Sequence, residues 1–250
     1  MKQALFGKEI IHLSDIDSTN NFAAKLLSQN LCQNGAVIMA DVQTQGKGQR
    51  GNIWLSESGK NLLSSFVFKP DNLSVENQIA LTWATSLSLL KTLRKFNIEA
   101  LIKWPNDILV GGKKIAGILI ENQLQGTRIS CSIIGIGLNL NQTFFDDLNA
   151  TSVLLETKQI VEPRTFLNIL AHEMNEQFQL IYSSSFEILK TEYENNLFQM
   201  NELKSYEDEF GVFVGKIIGT TEEGKILIEK SNAIQSYGLK EVTFLMKESY

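Results

Sequence analysis

The sequence from Ala100 to Glu121 reads ALIKWPNDILVGGKKIAGILIE, in which polar residues and glycines separate three short apolar segments. The Trp104-Pro105 step favours extended or turn geometry, because proline disfavours helical backbone at the residue before it. Gly111-Gly112, between the second and third segments, is a tight hairpin signal. The stretch therefore predicts a strand at Ala100–Trp104 and a β-hairpin of strands Ile108–Val110 and Lys114–Glu121.

On both sides of this hairpin the sequence continues to alternate between strands and helices. Ile79, Trp83, Leu87 and Leu90 recur at steps of four, four and three, so they share one face of a helix predicted over Glu76–Phe96. A second amphipathic helix is predicted to follow Pro163. Further strands are predicted at Glu9–Leu13, Ala36–Val42, Leu62–Lys69 and Ile129–Leu140. Together these elements predict an α+β fold with a mixed, largely antiparallel β-sheet and flanking helices.

The character of the sequence changes after about Asn201, where short apolar segments alternate with glycine-containing turns. Strands are predicted at Val212–Ile218, Ile226–Ile228, Ala233–Tyr237 and Val242–Leu245. Closely spaced short strands are typical of a small β-barrel or sandwich. We therefore expect two domains, a larger one at residues 1–200 and a small β-domain at residues 201–250.

Composition narrows the classes of function. The net charge is −5 over 250 residues, which argues against a general polyanion-binding role. The two cysteines and two histidines lack the spacing of a zinc site. The sequence has no run of eighteen apolar residues and no signal-peptide pattern at its start. We therefore expect no membrane association and a cytoplasmic location.

The segment Gly46–Gly51 matches the pattern G-x-G-x-x-G. A dinucleotide-binding fingerprint needs a helix to begin at the third glycine, and no helical pattern follows here, so we reject that interpretation. A flexible surface loop remains the simplest alternative. However, glycines expose backbone amides, Lys47 and Arg50 add positive charge, and Trp54 could cover a base. This combination favours a loop that wraps an anionic ligand.

Two more segments carry polar residues at predicted strand ends. Lys103, Asn106 and Asp107 combine a cation, an amide and a carboxylate, which suits phosphates and Mg²⁺, although a solvated turn is the common alternative. Lys114 enters an apolar strand where an ammonium needs a partner, and an anionic ligand would supply one. The glycines and amides of Gly135–Asn141, taken alone, indicate only the end of a buried strand.

The order and spacing of five segments resemble the successive motifs of the biotin–protein ligases. These segments are Asp17–Asn20, Gln43–Trp54, Lys103–Asp107, Lys113–Glu121 and Ile134–Asn139. Phe213–Ile217 and Lys240–Val242 also resemble the small C-terminal barrel of that family. The resemblance covers nearly the whole chain, and it implies a class II synthetase-like catalytic domain followed by an SH3-like β-barrel.

The resemblance also implies a reaction. Such an enzyme joins biotin and ATP into biotinyl-5'-AMP, with Mg²⁺, and then transfers biotin to a specific lysine of a biotin carboxyl carrier domain. Only about ten residues precede the first predicted strand, so the DNA-binding domain of the bifunctional members is expected to be absent, and with it direct DNA binding. The oligomeric state stays open, with a homodimer as one option.

The resemblance assigns roles to individual residues. Those expected to bind biotin are Ser18, Thr19, Asn20, Gln43, Gly46, Lys47, Gly48, Gln49, Lys114, Gly117, Leu119, Gly135 and Gly137. Those expected on the ATP side are Arg50, Gly51, Trp54, Lys103, Asn106, Asp107 and Asn139, with Asp107 also the candidate Mg²⁺ ligand. Lys114, Lys47 and Arg50 are the expected catalytic cations.

The loop departs from the arginine-rich loop that is usual in that family, since Lys47, Gln49 and Asn52 stand in it. Less positive charge should hold an acyl-adenylate less firmly, so we predict that the intermediate escapes faster than from an arginine-rich relative. Three other functions stay open: a lipoate–protein ligase with the same acyl-adenylate chemistry, a non-catalytic biotin or nucleotide sensor, and a plain interaction module.

Overall fold

The computed structural model describes residues 5–245 except 147 and 232, and for Arg50 it describes the backbone only. Seven strands form the larger sheet: β1 (Ile10–Ile16), β2 (Val37–Gln43), β3 (Leu62–Phe68), β4 (Leu101–Lys103), β5 (Asp107–Val110), β6 (Lys113–Gln125) and β7 (Arg128–Leu138). Their order across the sheet is β1-β2-β3-β7-β6-β5-β4. Only the β1–β2 pair is parallel among the strand pairs described in this sheet. The predicted α+β fold with a mixed, largely antiparallel sheet is confirmed.

Within the part of the chain that the structure describes, five helices accompany this sheet: α1 (Thr19–Ser28), α2 (Ile79–Arg94), α3 (Val153–Thr157), α4 (Pro163–Tyr182) and α5 (Phe186–Asn195). The predicted helix over Glu76–Phe96 begins later, at Ile79, because Val75–Asn77 form a 3-10 turn instead. Helix α3 is absent from the sequence prediction. It is a short helix, and Ser152 caps it by accepting a hydrogen bond from the backbone N–H of Leu155.

The central strands carry apolar or small residues on both of their faces, so helices can pack on both sides of the sheet. Phe66 and Phe68 of β3 belong to the main core together with α2 and α4, whereas Val67 of the same strand packs with Ala23 of α1. Neighbouring residues of a strand point to opposite faces. Helix α1 therefore covers one face, and α2 and α4 cover the other.

A second sheet contains β8 (Leu203–Asp208), β9 (Gly211–Thr220), β10 (Ile226–Lys230), β11 (Ala233–Tyr237) and β12 (Thr243–Phe244). Its order is β11-β10-β9-β8-β12, with antiparallel neighbours. The sequence prediction lacks β8, because LKSYED is mostly polar and only Tyr206 is fully buried. A small C-terminal β-structure is confirmed, and its closure into an SH3-like barrel stays a prediction.

The second sheet packs against the β4–β5 end of the larger one. The buried indole Nε1 of Trp104 donates a hydrogen bond of 2.9 Å to the carbonyl of Gly224. Nearby, the carboxylate of Glu194 accepts hydrogen bonds from the backbone N–H and the hydroxyl of Thr220 at 2.7 and 2.8 Å. The Trp104-Pro105 turn, whose peptide bond is cis, therefore lies at the junction of the two sheets.

Across residues 5–245, apart from 147 and 232, no helix is long and apolar enough to cross a membrane.

Candidate active site

A slot lies on the face of the larger sheet that carries α1. Most of the residues predicted to bind biotin line it: Ser18, Thr19, Asn20, Gln43, Lys47, Gly48, Gln49, Lys114, Gly117, Leu119, Gly135 and Gly137. Trp54, Asn106 and Asp107, predicted for the nucleotide side, line it as well. The structure thus brings residues from four distant segments of the chain to one place.

One end of the slot is a hydrogen-bonded network at the start of α1. The carboxamide Oε1 of Gln43 accepts two hydrogen bonds from Thr19, from its backbone N–H at 2.7 Å and from its hydroxyl at 3.0 Å. The hydroxyl of Ser65 lies 2.7 Å from Thr19 Oγ1 and 2.5 Å from Asn20 Oδ1. Asn20 Nδ2 in turn donates to the carboxylate of Glu121 at 2.7 Å. The network fixes the orientation of the Asn20 and Gln43 amides.

Ser65 and Glu121 belong to this network but were not among the predicted site residues. Ser65 stands in a strand that is otherwise apolar apart from Ser64, so its polarity within a buried strand was the available signal. Glu121 gave no comparable signal, because an acidic residue late in a strand commonly faces solvent. Ser18 occupies the N-cap of α1 and is buried, yet its side chain makes no capping hydrogen bond.

The floor of the slot is made of glycines on adjacent strands. Gly117 pairs with Gly137, and Leu119 pairs with Gly135, in the β6–β7 register. A Cβ atom at position 137 would lie 2.5 Å from Trp54 Cε2, and one at position 135 would lie 2.6 Å from Asn20 Oδ1. Both separations are too short for carbon atoms or for carbon and oxygen. Glycine is therefore needed at positions 135 and 137, because the Asn20 amide and the Trp54 indole lie directly on the sheet there.

The glycine-rich segment Gly46–Trp54, which we call the lid, is a small hairpin. The N–H of Trp54 donates to the carbonyl of Gly46 at 2.9 Å, and that of Gly48 donates to the carbonyl of Asn52 at 2.8 Å. Its tip is a 3-10 turn over Gln49–Gly51. Arg50 belongs to this turn, and its side chain lies outside the described part of the structure. The indole of Trp54 covers the glycine floor, so the cavity that remains is only about 50 Å³.

Lys114 stands at the other end of the slot from the network. Its Nζ lies 2.6 Å from Asp107 Oδ1 and 5.4 Å from the centre of the Trp54 ring. Asp107 is held in place by β5, while the neighbouring Asn106 donates through Nδ2 to the carbonyl of Ile118 at 2.6 Å. A bulge in the β5–β6 pairing falls at this point. The ammonium therefore faces the slot while it is paired with a carboxylate.

A wider cleft of about 660 Å³ adjoins the slot on the side of the second sheet. The lid tip, the Lys103–Asp107 turn, Lys114 and part of the second sheet line it. The second sheet contributes Lys240 and Phe244, and Lys103 Nζ lies 5.9 Å from the centre of the Phe244 ring. Three lysines and one carboxylate, Asp107, therefore line the cleft, which makes it suited to a ligand with several negative charges.

Asn139 occupies a different position from the other predicted nucleotide residues. It is buried, and its Nδ2 donates to the carbonyl of Thr151 at 3.0 Å, which ties the end of β7 to the segment before α3. It is not among the residues that line the slot or the cleft. Its assignment to the nucleotide stays a prediction, and the structure gives it a role in local folding.

A lid, an amide network and lysines surround one slot, an arrangement suited to a ligase that activates a small acid. Residues 13–139 match the model of the Biotin/lipoate A/B protein ligase family, and the chain belongs to that family.

Similar proteins agree with this membership. The bifunctional ligase/repressor BirA of Bacillus spizizenii is 29% identical over 241 residues, which is 94% of this chain and 74% of the relative. The biotin–[acetyl-CoA-carboxylase] ligase of Paracoccus denitrificans is 32% identical over 176 residues, 64% of this chain and 68% of the relative. The biotin protein ligase from Aquifex aeolicus, solved in complex with biotin and ATP, has a TM-score of 0.78 at 29% identity and covers 95% of this chain and 98% of its own. The predicted resemblance to biotin–protein ligases is confirmed.

Proposed function

We propose that this chain is an ATP-dependent biotin–protein ligase. In the first step biotin and ATP form biotinyl-5'-AMP and pyrophosphate, and in the second step a lysine of a biotin carboxyl carrier domain takes the biotinyl group and AMP leaves. One observation carries the proposal: the slot has an oriented amide network at one end and Lys114 at the other. Once Trp54 leaves the glycine floor, a ligand with a polar head and a distant carboxylate would match these two ends.

The network end suits the ureido head of biotin, which offers one carbonyl acceptor and two N–H donors. Gln43 Oε1 is already occupied by Thr19, so its Nε2 remains as a donor, and it points toward Gly46 of the lid. Asn20 Oδ1, near Ser65, and the hydroxyl of Thr19 supply acceptors. Buried polar groups discriminate strongly against ligands that leave them unpaired. This end therefore favours biotin over lipoate, whose dithiolane ring makes no such hydrogen bonds.

The first step requires two anions to approach each other. A biotin carboxylate oxygen attacks the α-phosphorus, and the bond from that phosphorus to the pyrophosphate oxygen breaks. The enzyme must neutralise the charge and align the reacting atoms. Lys114 lines both the slot and the cleft and would contact both partners, with Lys103 of the cleft on the nucleotide side and Lys47 of the slot as a further cation. Arg50 of the lid is proposed as the fourth cation.

The donor set fits a magnesium ion that arrives with the nucleotide. Mg²⁺ commonly takes one or two protein carboxylates and completes its shell with phosphate oxygens and water. Asp107, beside Asn106, is the carboxylate that lines both cavities, and among the described residues no cluster of three metal-binding side chains exists. Asp107 would hold such an ion, which would supply charge neutralisation at the phosphates.

In the second step the acceptor amine attacks the carbonyl carbon of the mixed anhydride, loses a proton, and displaces AMP. The described residues contain no His-Asp or His-Cys arrangement in the slot, and this chemistry needs no covalent enzyme intermediate. The lid excludes water from the reactive anhydride until the acceptor arrives.

We also infer the cellular setting and the domain division. Cys32 and Cys131 are free and buried, which suits the reducing cytoplasm. The net charge of −5 supports a protein that acts on a carrier protein rather than on DNA. Residues 1–200 would form the catalytic domain and residues 201–250 the small β-domain.

The test is incubation with biotin, ATP, Mg²⁺ and a biotin carboxyl carrier domain, followed by mass measurement of the acceptor. We expect the mass of one biotinyl group on one lysine, and no change when ATP is omitted or when lipoate replaces biotin. An acceptor that stays unmodified, while the protein binds biotin, would instead identify a sensor. Modification by lipoate at a comparable rate would reassign the chain to the lipoate branch of the family.

A further inference from the structure

Lys47 of the lid is attached to helix α1 through a relay of hydrogen bonds. Its Nζ donates to Asn21 Oδ1 at 2.6 Å, and Asn21 Nδ2 donates to Asp17 Oδ2 at 2.6 Å. The bond to Asp17 fixes the Asn21 amide so that its oxygen is presented to the lysine. The hydrogen bond from Asn21, with a smaller contribution from the charge of Lys47, lowers the pKa of Asp17, which keeps that carboxyl ionised.

The residues next to the lid are fixed to the body of the protein. The N–H of Thr44 donates to the carbonyl of Ile16 at 2.9 Å, and that of Gln45 donates to the carbonyl of Asp17 at 2.8 Å. Within the lid, backbone bonds join its two arms. The two arms are therefore coupled to each other, and the described side-chain contacts that join the lid to the body of the protein include Lys47 on α1 and Trp54 on the glycine floor.

The slot is too small for a ligand while Trp54 lies on the glycine floor. Small-molecule sites have volumes of roughly 300–1,000 Å³. With Trp54 in its present position about 50 Å³ remains, which is too little for biotin. Entry of a ligand therefore requires Trp54 to leave the floor, and when the lid lifts together with Trp54 the hydrogen bond between Lys47 and Asn21 breaks.

We propose that Asn21 and Asp17 are positioning residues that latch the lid through Lys47. The first turn of α1 presents Thr19 and Asn20 to the slot and Asn21 to the lid, so one turn of helix joins the ligand site to the lid contact. The latch limits how often the lid opens in the free protein. Its further effect on retention of an acyl-adenylate rests on the proposed function, whereas lid opening itself does not.

The first test measures lid opening without any ligand. Limited digestion with trypsin is followed by mass spectrometry at the Arg50-Gly51 bond in wild type, Asn21→Ala, Lys47→Met and the double variant. The matched control is Lys25→Met, which removes an exposed lysine of α1 outside the relay. We expect each single variant to raise cleavage about fivefold, from loss of one charge-assisted hydrogen bond, and the double variant to add nothing more.

Wild-type cleavage in Asn21→Ala, with unchanged thermal unfolding, would overturn the latch. So would single-variant effects that multiply in the double variant, because Lys47 and Asn21 would then act independently. Either result would leave the proposed ligase function untouched.

The second test uses biotin and ATP. Asn21→Ala should release biotinyl-5'-AMP about fivefold faster in a chase experiment, while single-turnover pyrophosphate formation at saturating substrates stays within about twofold of wild type. A slower chemical step with normal release would mean that Asn21 supports catalysis rather than the lid. If no adenylate forms in any variant, the proposed function fails, and the digestion result still decides the latch.

Discussion

Lys114 provides a positive charge at a fixed position beside the slot. It lies on a strand next to the glycine floor, and its Nζ contacts Asp107 at 2.6 Å beneath the Trp54 ring. In this position the ammonium of Lys114 is fixed beside the slot, and the carboxylate of Asp107 balances its charge. Under the proposed function, an entering carboxylate and phosphate would replace Asp107 as partners of Lys114, and Asp107 would then be free to hold a metal ion.

Replacement of Lys114 by Met should slow formation of the adenylate by about 10²–10³-fold, the loss typical of one electrostatic contact to developing charge. Pyrophosphate release with biotin and ATP measures this step. Lys113→Met is the control, because Lys113 is the exposed neighbour on the same hairpin. Normal pyrophosphate release by Lys114→Met would show that its assigned role is wrong.

Gly137 offers a test of the floor. In Gly137→Ala the new Cβ would lie 2.5 Å from Trp54 Cε2, so the indole and the lid must lift from the sheet. We expect ATP-dependent adenylate formation to fall at least tenfold, with a small change in thermal stability because the lid absorbs the clash. Gly238→Ala, where the nearest atoms belong to the flexible Glu241 side chain, is the control. A large fall in melting temperature for Gly137→Ala would instead indicate a structural role.

Among the individual site residues, those that could be predicted from the sequence belong to a distinctive local motif. Thr19, Gln43 and Lys114, predicted to bind biotin, all line the slot, and their binding of biotin stays a prediction. Ser65 and Glu121 were missed because their significance comes from Asn20, which lies 45 and 101 residues away along the chain. Such distant contacts cannot be read from local spacing in a single sequence.

Among the elements, the lid carries an uncharged side chain, that of Gln49, at its tip. Gln49 opens the 3-10 turn at its tip and lines both the slot and the cleft. An uncharged amide there attracts an acyl-adenylate less than a guanidinium would. Gln49→Arg should therefore slow dissociation of biotinyl-5'-AMP, by roughly fivefold for one partly screened charge. The chase experiment compares it with wild type, and equal dissociation rates would refute the idea.

The hairpin β8–β9 depends on a buried carboxylate. Asp208, only 2% exposed, accepts hydrogen bonds from Phe210 N at 2.9 Å, Lys230 Nζ at 3.1 Å and Tyr237 Oη at 3.0 Å. Desolvation opposes its ionised form, but these bonds outweigh it and hold the pKa of Asp208 below its usual 3.8. Burial and the same carboxylate raise the pKa of Tyr237 to about 12, so this tyrosine remains a donor.

Because the pKa of Asp208 is lower in the folded than in the unfolded state, its ionised form stabilises the fold above about pH 3.8. That contribution is lost as the pH falls through the folded-state value. Asp208→Asn should therefore lower the melting temperature at pH 7, and the gap from wild type should close below pH 3.8. The exposed Asp15→Asn is the control. A gap that persists unchanged in acid would rule out the ionised carboxylate as its cause.

In the whole molecule, two sheets meet at the Trp104-Pro105 turn, and the cleft lies between them. The apolar strand segments and the hairpin signal at Gly111-Gly112 predicted the larger sheet. The helical spacing of apolar residues predicted α2. The packing of the second sheet was not predictable, since it depends on contacts such as Trp104 with Gly224, which no periodic pattern encodes. The sequence therefore predicted residues that the larger sheet contributes to the slot and the cleft, such as Lys103 and Asp107, but not the contribution of the second sheet.

The cleft leads to a prediction about the second sheet, which contributes Lys240 to a site otherwise built from the larger sheet. If the nucleotide phosphates extend from Lys114 into the cleft, this ammonium attracts them, and for an exposed charge the gain is about 1 kcal/mol. Lys240→Met should then raise the KM for ATP about fivefold and leave the KM for biotin unchanged, because the proposed site for the biotin head group is the amide network at the far end of the slot. Lys225→Met, an exposed lysine of the same sheet outside the cleft, should change neither constant. An unchanged KM for ATP in Lys240→Met would mean that the phosphates do not reach the cleft, and that the second sheet acts on the reaction only by supporting the Trp104-Pro105 turn.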